Sequence, residues 1–541
     1  MATSVITLAC LLATVFTATA YGALVDRQTT EGTVRGKVVR VMDKPVEQYL
    51  GIPFAEPPVG KLRFRPPVPK IPWQGTVDAT AGNTACPQVA EHAMLKGNLT
   101  FTEDCLYLNV WAPVAATDSG PRPVLVWIYG GAFTFGSANS AIYNAVWLAA
   151  LGDVVVVSMN YRLGILGFMN ANSPEAPGNV GLLDQNMALK WVQRNIEHFG
   201  GNPELVTLFG ESAGSMCTHA HIMSPLSEGL FKRAVMMSGT TYNLDLWDTV
   251  QESVAKADKV ANVIGCSNAT YIELSSSAEE IIDCMRNKSA DELFKASFEI
   301  AAPKRAPFLP TYHDEFLPRN PLVAMKRGFF SSVDVLAGVN SDEGATYLLF
   351  PLVLELLAED LQDFPREELV QSLRAALWRL LRDGVPDILE TYIQEVDPGD
   401  NNALRRQYID HLSDRLFNCP LQFFAEKHSE RGNKVFCYVF VHKTTMFPLP
   451  AWMGAPHGSD ILFTFGHAYA ADPDSPDGRM AAAFIRVLVS FSKSGVPEIP
   501  NGQTWPLYSE SSPNMMLIKN GEFNQTQGFR ASYCERWRPL Y

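Results

Sequence analysis

The chain has 541 residues, 47% of them hydrophobic, a mean hydropathy of −0.01 and a formal net charge of −13. That much apolar material, without long apolar spans, builds a well-packed core and excludes a disordered or membrane-embedded chain. The acidic balance, with no run of Lys and Arg to override it, excludes nucleic acid as a partner, because phosphate binding needs a clustered basic surface.

The stretch MATSVITLACLLATVFTATA carries no charged side chain and ends in the small-x-small triplet Ala18-Thr19-Ala20. It is short for a membrane span and polar sequence follows, so residues 1–20 read as a secretory signal and 21–541 as the mature chain. The C-terminal ASYCERWRPLY has neither a hydrophobic tail nor an ER-retention tetrapeptide, so a released, extracellular product is expected. Secretion permits disulfides. Cys86 with Cys105, and Cys266 with Cys284, each bracket a polar segment that reads as a surface loop. Cys419 with Cys534 would pin the C-terminal segment to the body; spacing alone does not prove these pairings. Cys217 and Cys437 fall in helical and strand patterns and read as buried free thiols. Sequons at Asn98, Asn268, Asn287 and Asn524 fit glycosylation of an extracellular chain.

Short β-branched and apolar runs read as buried strands: PVLVWIYGG from Pro123, DVVVVSMNYR from Asp153, ELVTLFGES from Glu204, VDVLAGVNSDEG from Val333 and KVFCYVFVH from Lys434. Helical patterns lie between them, including Met187 to His198 and a stripe at Leu369, Leu373, Leu377, Leu380 and Leu381 that stops before Gly384 and Pro386. Buried strands alternating with helices predict an α/β fold, a mostly parallel sheet with helices on both faces. No repeat or Gly/Ser linker divides the chain, so one α/β domain with long loop insertions is expected over 21–541.

The chemistry centres on TLFGESAGSM, residues 207–216, a Gly-x-Ser-x-Gly pattern. In a chain this long the pattern arises by chance in roughly one case out of five. Its setting gives it meaning: a buried strand precedes it, and SAGSMCTHAHIM after it reads as a helix ending before Pro225. Gly210 and Gly214 therefore flank a sharp strand-to-helix turn, which lifts Ser212 above the carboxyl edge of the sheet. Oxyanion donors are expected from WIYGGAF, where small residues let backbone N–H groups reach a ligand: Gly131 and Ala132, joined by Ala213 after the nucleophile. A serine needs a base, and the base needs a carboxylate. His198, His219, His221 and His442 lie inside helical or strand patterns, whereas His457 sits in the loop MGAPHGSD. For the acid, SDEG offers Asp342 and Glu343, and the order Ser, acid, His holds for both.

These residues resemble the type-B carboxylesterases, a family that includes the cholinesterases. The resemblance rests on YLGIPFAEPPVGKLRFRPP from Tyr49, TEDCLYLNVW from Thr102, WIYGGAF, NYRLGILGF from Asn160, GNVGLLDQNMALKWV from Gly178, FGESAGS, GVNSDEG and WMGAPHGSD, and it spans nearly the whole mature chain. It implies an α/β-hydrolase fold and a serine ester hydrolase acting through an acyl-enzyme, with a small-molecule ester as partner and no metal or organic cofactor. Its acid falls on Glu343 and its histidine on His457; its disulfides match the three pairs above; groups beside its triad match Glu211 and Ser238. Two departures bear on substrate. The loop CPQVAEHAMLKGNLTFTEDC lacks the tryptophan with which cholinesterases hold a quaternary ammonium, and APKRAPFLP puts Lys304 and Ala306 near positions where they narrow the acyl pocket with aromatics. A carboxylesterase-like enzyme with a roomier acyl pocket is therefore expected. The competing readings are a non-catalytic binding or adhesion member of the family and a member that sequesters esters with slow turnover.

Overall fold

Runs of β-branched residues set the frame. The computed structural model describes residues 22–89, 98–114, 120–267, 274–301, 306–348, 354–378, 388–394, 396–447 and 449–541. The signal reading, the sequon at Asn268, and Lys304, Leu380 and Leu381 lie outside the described residues. Strands β1 (Leu24–Gln28), β2 (Thr33–Val41), β3 (Lys44–Pro53), β4 (Tyr107–Pro113), β5 (Arg122–Ile128), β6 (Val155–Met159), β7 (Gly201–Glu211), β8 (Arg233–Met237), β9 (Asp334–Asn340), β10 (Val435–Phe440), β11 (Asn514–Lys519) and β12 (Glu522–Gln527) share one sheet. Their spatial order is β1-β2-β3-β4-β6-β5-β7-β8-β9-β10-β11-β12. From β6 through β5 to β11 all neighbours are parallel; β1 to β4 and the β11–β12 hairpin are antiparallel edges. Every residue of β5, β6, β8 and β10 is buried, as expected for strands covered on both faces.

Among the surrounding helices are α1 (Val180–Asn195), α2 (Ala213–Met223), α3 (Asn401–Ser413), α4 (Cys419–Ser429) and α5 (Pro476–Ser494). α2 packs on β5, β7 and β8, and α5 on β5 and β7. The helix expected over Met187 to His198 starts earlier, at Val180, because Asn179 takes a left-handed conformation and spends its side chain on Thr311 and Asp314. The Leu369 stripe forms a helix over Arg366–Trp378.

Disulfides join Cys86 to Cys105, Cys266 to Cys284 and Cys419 to Cys534, while Cys217 and Cys437 are buried free thiols. Among the described residues no helix is long and apolar enough to cross a membrane. Asn98, Asn287 and Asn524 are exposed.

Candidate active site

The parallel strands end on one edge of the sheet, and there β7 turns into α2 at Ser212. The turn is sharp: Ser212 has φ 58° and ψ −125°, a conformation that costs a non-glycine residue about 1–3 kcal/mol. Both flanking glycines are required by close approach. A Cβ on Gly210 would lie 2.4 Å from the Gly214 carbonyl oxygen, and one on Gly214 would lie 2.0 Å from that of Ile128 on β5. The Ser212 N–H donates to Met237 at the end of β8 (2.9 Å), and every residue of α2 is buried, so the strained turn is held on both sides.

Three segments converge on this turn. His457 Nε2 lies 2.8 Å from Ser212 Oγ, and its Nδ1 lies 2.5 Å from Glu343 Oε2. Glu343 is fully buried, and its other oxygen accepts from the Ser238 hydroxyl (2.5 Å) and the Asn340 N–H (2.7 Å). A buried carboxylate with both oxygens bonded holds one orientation, so the imidazole it contacts keeps Nδ1 as donor and Nε2 as acceptor. Asp342, open as the acid by pattern, points elsewhere: its carboxylate meets Arg406 and the Ala455 N–H. His442 has a carboxylate of its own, Asp477 Oδ1 at 2.6 Å, but lies two residues beyond β10 and its Nδ1 faces Asn520.

The loop after β5 passes in front of the serine. A Cβ on Gly130 would lie 2.9 Å from Ser212 Cβ, and Gly131, Ala132 and Phe133 all have positive φ. Thr134 and Phe135 donate back to the Gly131 carbonyl, closing a tight turn. Among the described residues, the N–H groups of Gly131, Ala132 and Ala213 donate to no other protein group. An N–H at the start of α2 also carries the positive end of the helix dipole.

Around this centre lie Glu211, which the family resemblance places beside the triad, and three groups that sequence patterns did not single out, Asp460, Phe417 and Tyr347. Glu211 Oε1 lies 3.2 Å from His457 Nε2. Burial pushes its carboxyl up to about 8, with Asp460 and Glu343 adding to the rise and His457 opposing it. Asp460, the last residue of MGAPHGSD, is fully buried and is pushed up to about 6 by burial and by Glu343. The rings of Phe417 and Tyr347 flank the imidazole at 4.6 and 5.8 Å. Phe417 is placed by a π-helical turn, Asp414–Asn418, between α3 and α4. Ala306, from the segment matched to the acyl pocket, is buried.

Away from the site, burial lowers the proton affinity of several histidines: His219 well below the ordinary range, His221 and His411 to about 3, and His428 and His467 to about 4. They stay neutral in the folded state, whereas the unfolded chain protonates them below about pH 6.5. The unfolded state then binds more protons, so stability drains away as pH falls from about 6.5 toward 4. Buried carboxyls act in the opposite sense, Glu211 and Asp460 together with Asp248, Asp314 and Asp414, since folded they keep protons that the unfolded chain has released. Between about pH 7 and pH 5, however, it is the five histidines whose ordinary pKa of about 6.5 is crossed, and they set the sign. Tm should therefore drop on titration from about pH 7 to about pH 5; calorimetric scans with a flat or rising Tm would contradict this.

Residues 24–537 match the model of the carboxylesterase family. The chain is 34% identical over 527 residues to an acetylcholinesterase of Bungarus fasciatus and 33% identical over 545 residues to one of Leptinotarsa decemlineata. Each match covers 94% of this chain and 85% of the relative. With likeness along almost its whole length, the chain belongs to the carboxylesterase family and is a serine carboxylic ester hydrolase on an α/β-hydrolase fold.

Proposed function

We propose that Ser212, His457 and Glu343 are the catalytic triad of this esterase. The observation that carries the reading is the unbroken chain from Ser212 Oγ through both ring nitrogens of His457 to Glu343. His457 takes the proton of Ser212 as Oγ attacks the ester carbonyl; Glu343 orients the ring and stabilises the imidazolium. Gly131, Ala132 and Ala213 donate to the oxyanion of the tetrahedral intermediate, where preorganised donors stabilise developing charge without reorganising. His457 then protonates the leaving alcohol, and a water deprotonated by the same nitrogen releases the acid. Glu211 and Ser238 support this centre, Glu211 beside Nε2 and Ser238 on the carboxylate of Glu343.

The enzyme acts outside the cell after loss of residues 1–20, as one hydrolase unit with glycans at the sequons. The three disulfides and the exposure of Asn98, Asn287 and Asn524 support that reading. Its substrates are esters of varied acyl groups, not choline esters by preference, because the loop between Cys86 and Cys105 has no tryptophan.

An organophosphate should inactivate the protein stoichiometrically, with the adduct on the tryptic peptide bearing Ser212. In parallel, a panel of aryl, short-chain, long-chain and choline esters should show multiple turnovers on the first two and the poorest kcat/KM on choline. Labelling without turnover would favour the slow-binding reading, and a choline preference would overturn the substrate assignment.

A further inference from the structure

The acidic residue beside Glu343 has a role of its own. We propose that Asp342 is a positioning residue that fixes His457 against Glu343, with Arg406 holding its carboxylate in place. This rests on the assignment of Ser212, His457 and Glu343 as the triad.

Asp342 directly precedes Glu343, and it is tied twice to the loop that carries His457. Its N–H donates to the Ala455 carbonyl (3.1 Å), and its Oδ2 accepts from the Ala455 N–H (2.9 Å). Ala455 stands two residues before His457. One residue therefore joins the turn bearing the acid to the loop bearing the base, and the separation of Glu343 and His457 is set across that joint. The loop is shaped around the carboxylate. Gly454 has φ 60° and ψ −127°, and a Cβ there would lie 2.1 Å from Asp342 Oδ2. Only glycine meets both the conformation and the contact.

The other carboxylate oxygen, Oδ1, is 2.5 Å from Arg406 Nη1 on α3, and the same guanidinium pairs with Asp410 one turn along. The neighbouring Arg405 lies over the ring of Trp452, 4.2 Å from its centroid, at the start of the histidine loop. Helix α3 thus holds the loop at two points. The Asp342 side chain is only 16% exposed and that of Arg406 35%; the pair is shielded enough to hold one geometry, and Arg406 is open enough to be replaced without emptying the core.

A base displaced by about 1 Å can cost about 100-fold in rate. Asp342→Ala should therefore lower kcat per organophosphate-titrated site by at least about 10-fold, with KM changed far less. Arg406→Gln should give a smaller loss in the same direction, and Arg406→Lys should restore part of it. Counting titrated sites separates a misplaced base from a smaller folded fraction, and Arg406→Gln decides the matter if Asp342→Ala does not fold. Wild-type kcat per titrated site in Asp342→Ala, or in Arg406→Gln with only its Tm reduced, would overturn the positioning role while leaving the triad intact. Failure of the triad itself would show separately, as wild-type protein that is not labelled at Ser212.

Discussion

Replacing Ser212 with Ala should abolish hydrolysis to within a residual activity about 10⁴-fold or more below wild type, a loss of about 5.4 kcal/mol of transition-state stabilisation. What remains should exceed the reaction in water, because Gly131, Ala132 and Ala213 would still meet the developing oxyanion. The fold should survive. Only the Oγ atom is removed; Gly210 and Gly214 keep the close approaches that shape the turn, and Ala tolerates the φ of 58° no worse than Ser. The measurement is kcat on an aryl ester beside a thermal melt. Equal turnover in variant and wild type would remove Ser212 from the mechanism.

Glu343→Gln should be nearly as damaging, by about 10⁴-fold in kcat, for a reason visible in the hydrogen bonds. Oε1 accepts from Ser238 and from the Asn340 N–H, so a glutamine must place its carbonyl oxygen there. Its NH2 then faces Nδ1 of His457, which must turn acceptor. The ring proton moves to Nε2, and Nε2 can no longer take the proton of Ser212. Steady-state kinetics should show kcat falling with KM largely kept, and a loss below about 10-fold would mean the carboxylate does not set the tautomer.

Much of this was legible because the decisive constraints are local. The parallel strands β5, β6, β7, β9 and β10 stand out as short apolar runs bounded by turn residues, whereas β8 (RAVMM) and β11 (NMMLIK), short and methionine-rich, do not. The pair Gly210 and Gly214 marks where strand and helix backbones touch. The loop setting that separates His457 from His442 in the sequence goes with a difference in contacts: His457 meets Ser212, whereas His442 meets Asp477 at 2.6 Å. Local pattern could not choose between Asp342 and Glu343, which are adjacent on one turn. Their difference lies in what faces them: His457 in one case, Arg406 and Ala455 in the other. The partners contributed by distant segments were silent in the sequence. Phe417 reaches the imidazole from a π-helical turn that follows α3, and Asp460 is buried against Asn340 of β9 and Tyr438 of β10. The edge strands β1 to β3 escaped for another reason, since residues such as Asp26, Arg27 and Arg35 break the apolar pattern with ion pairs, Asp26 to Arg35 at the surface and Arg27 to the buried Glu47.

The wiring of the site also bears on how the chain comes together. Ser212 and His457 stand 245 positions apart, Glu343 and His457 114, and Ser238 and Glu343 105. Contacts of such long range are the slowest to form, because the intervening chain must be ordered before they repay the entropy of closing it. The proposed triad can assemble only once β7, β9 and β10 share one sheet. Esterase activity therefore returns on refolding only when the C-terminal half has joined the sheet.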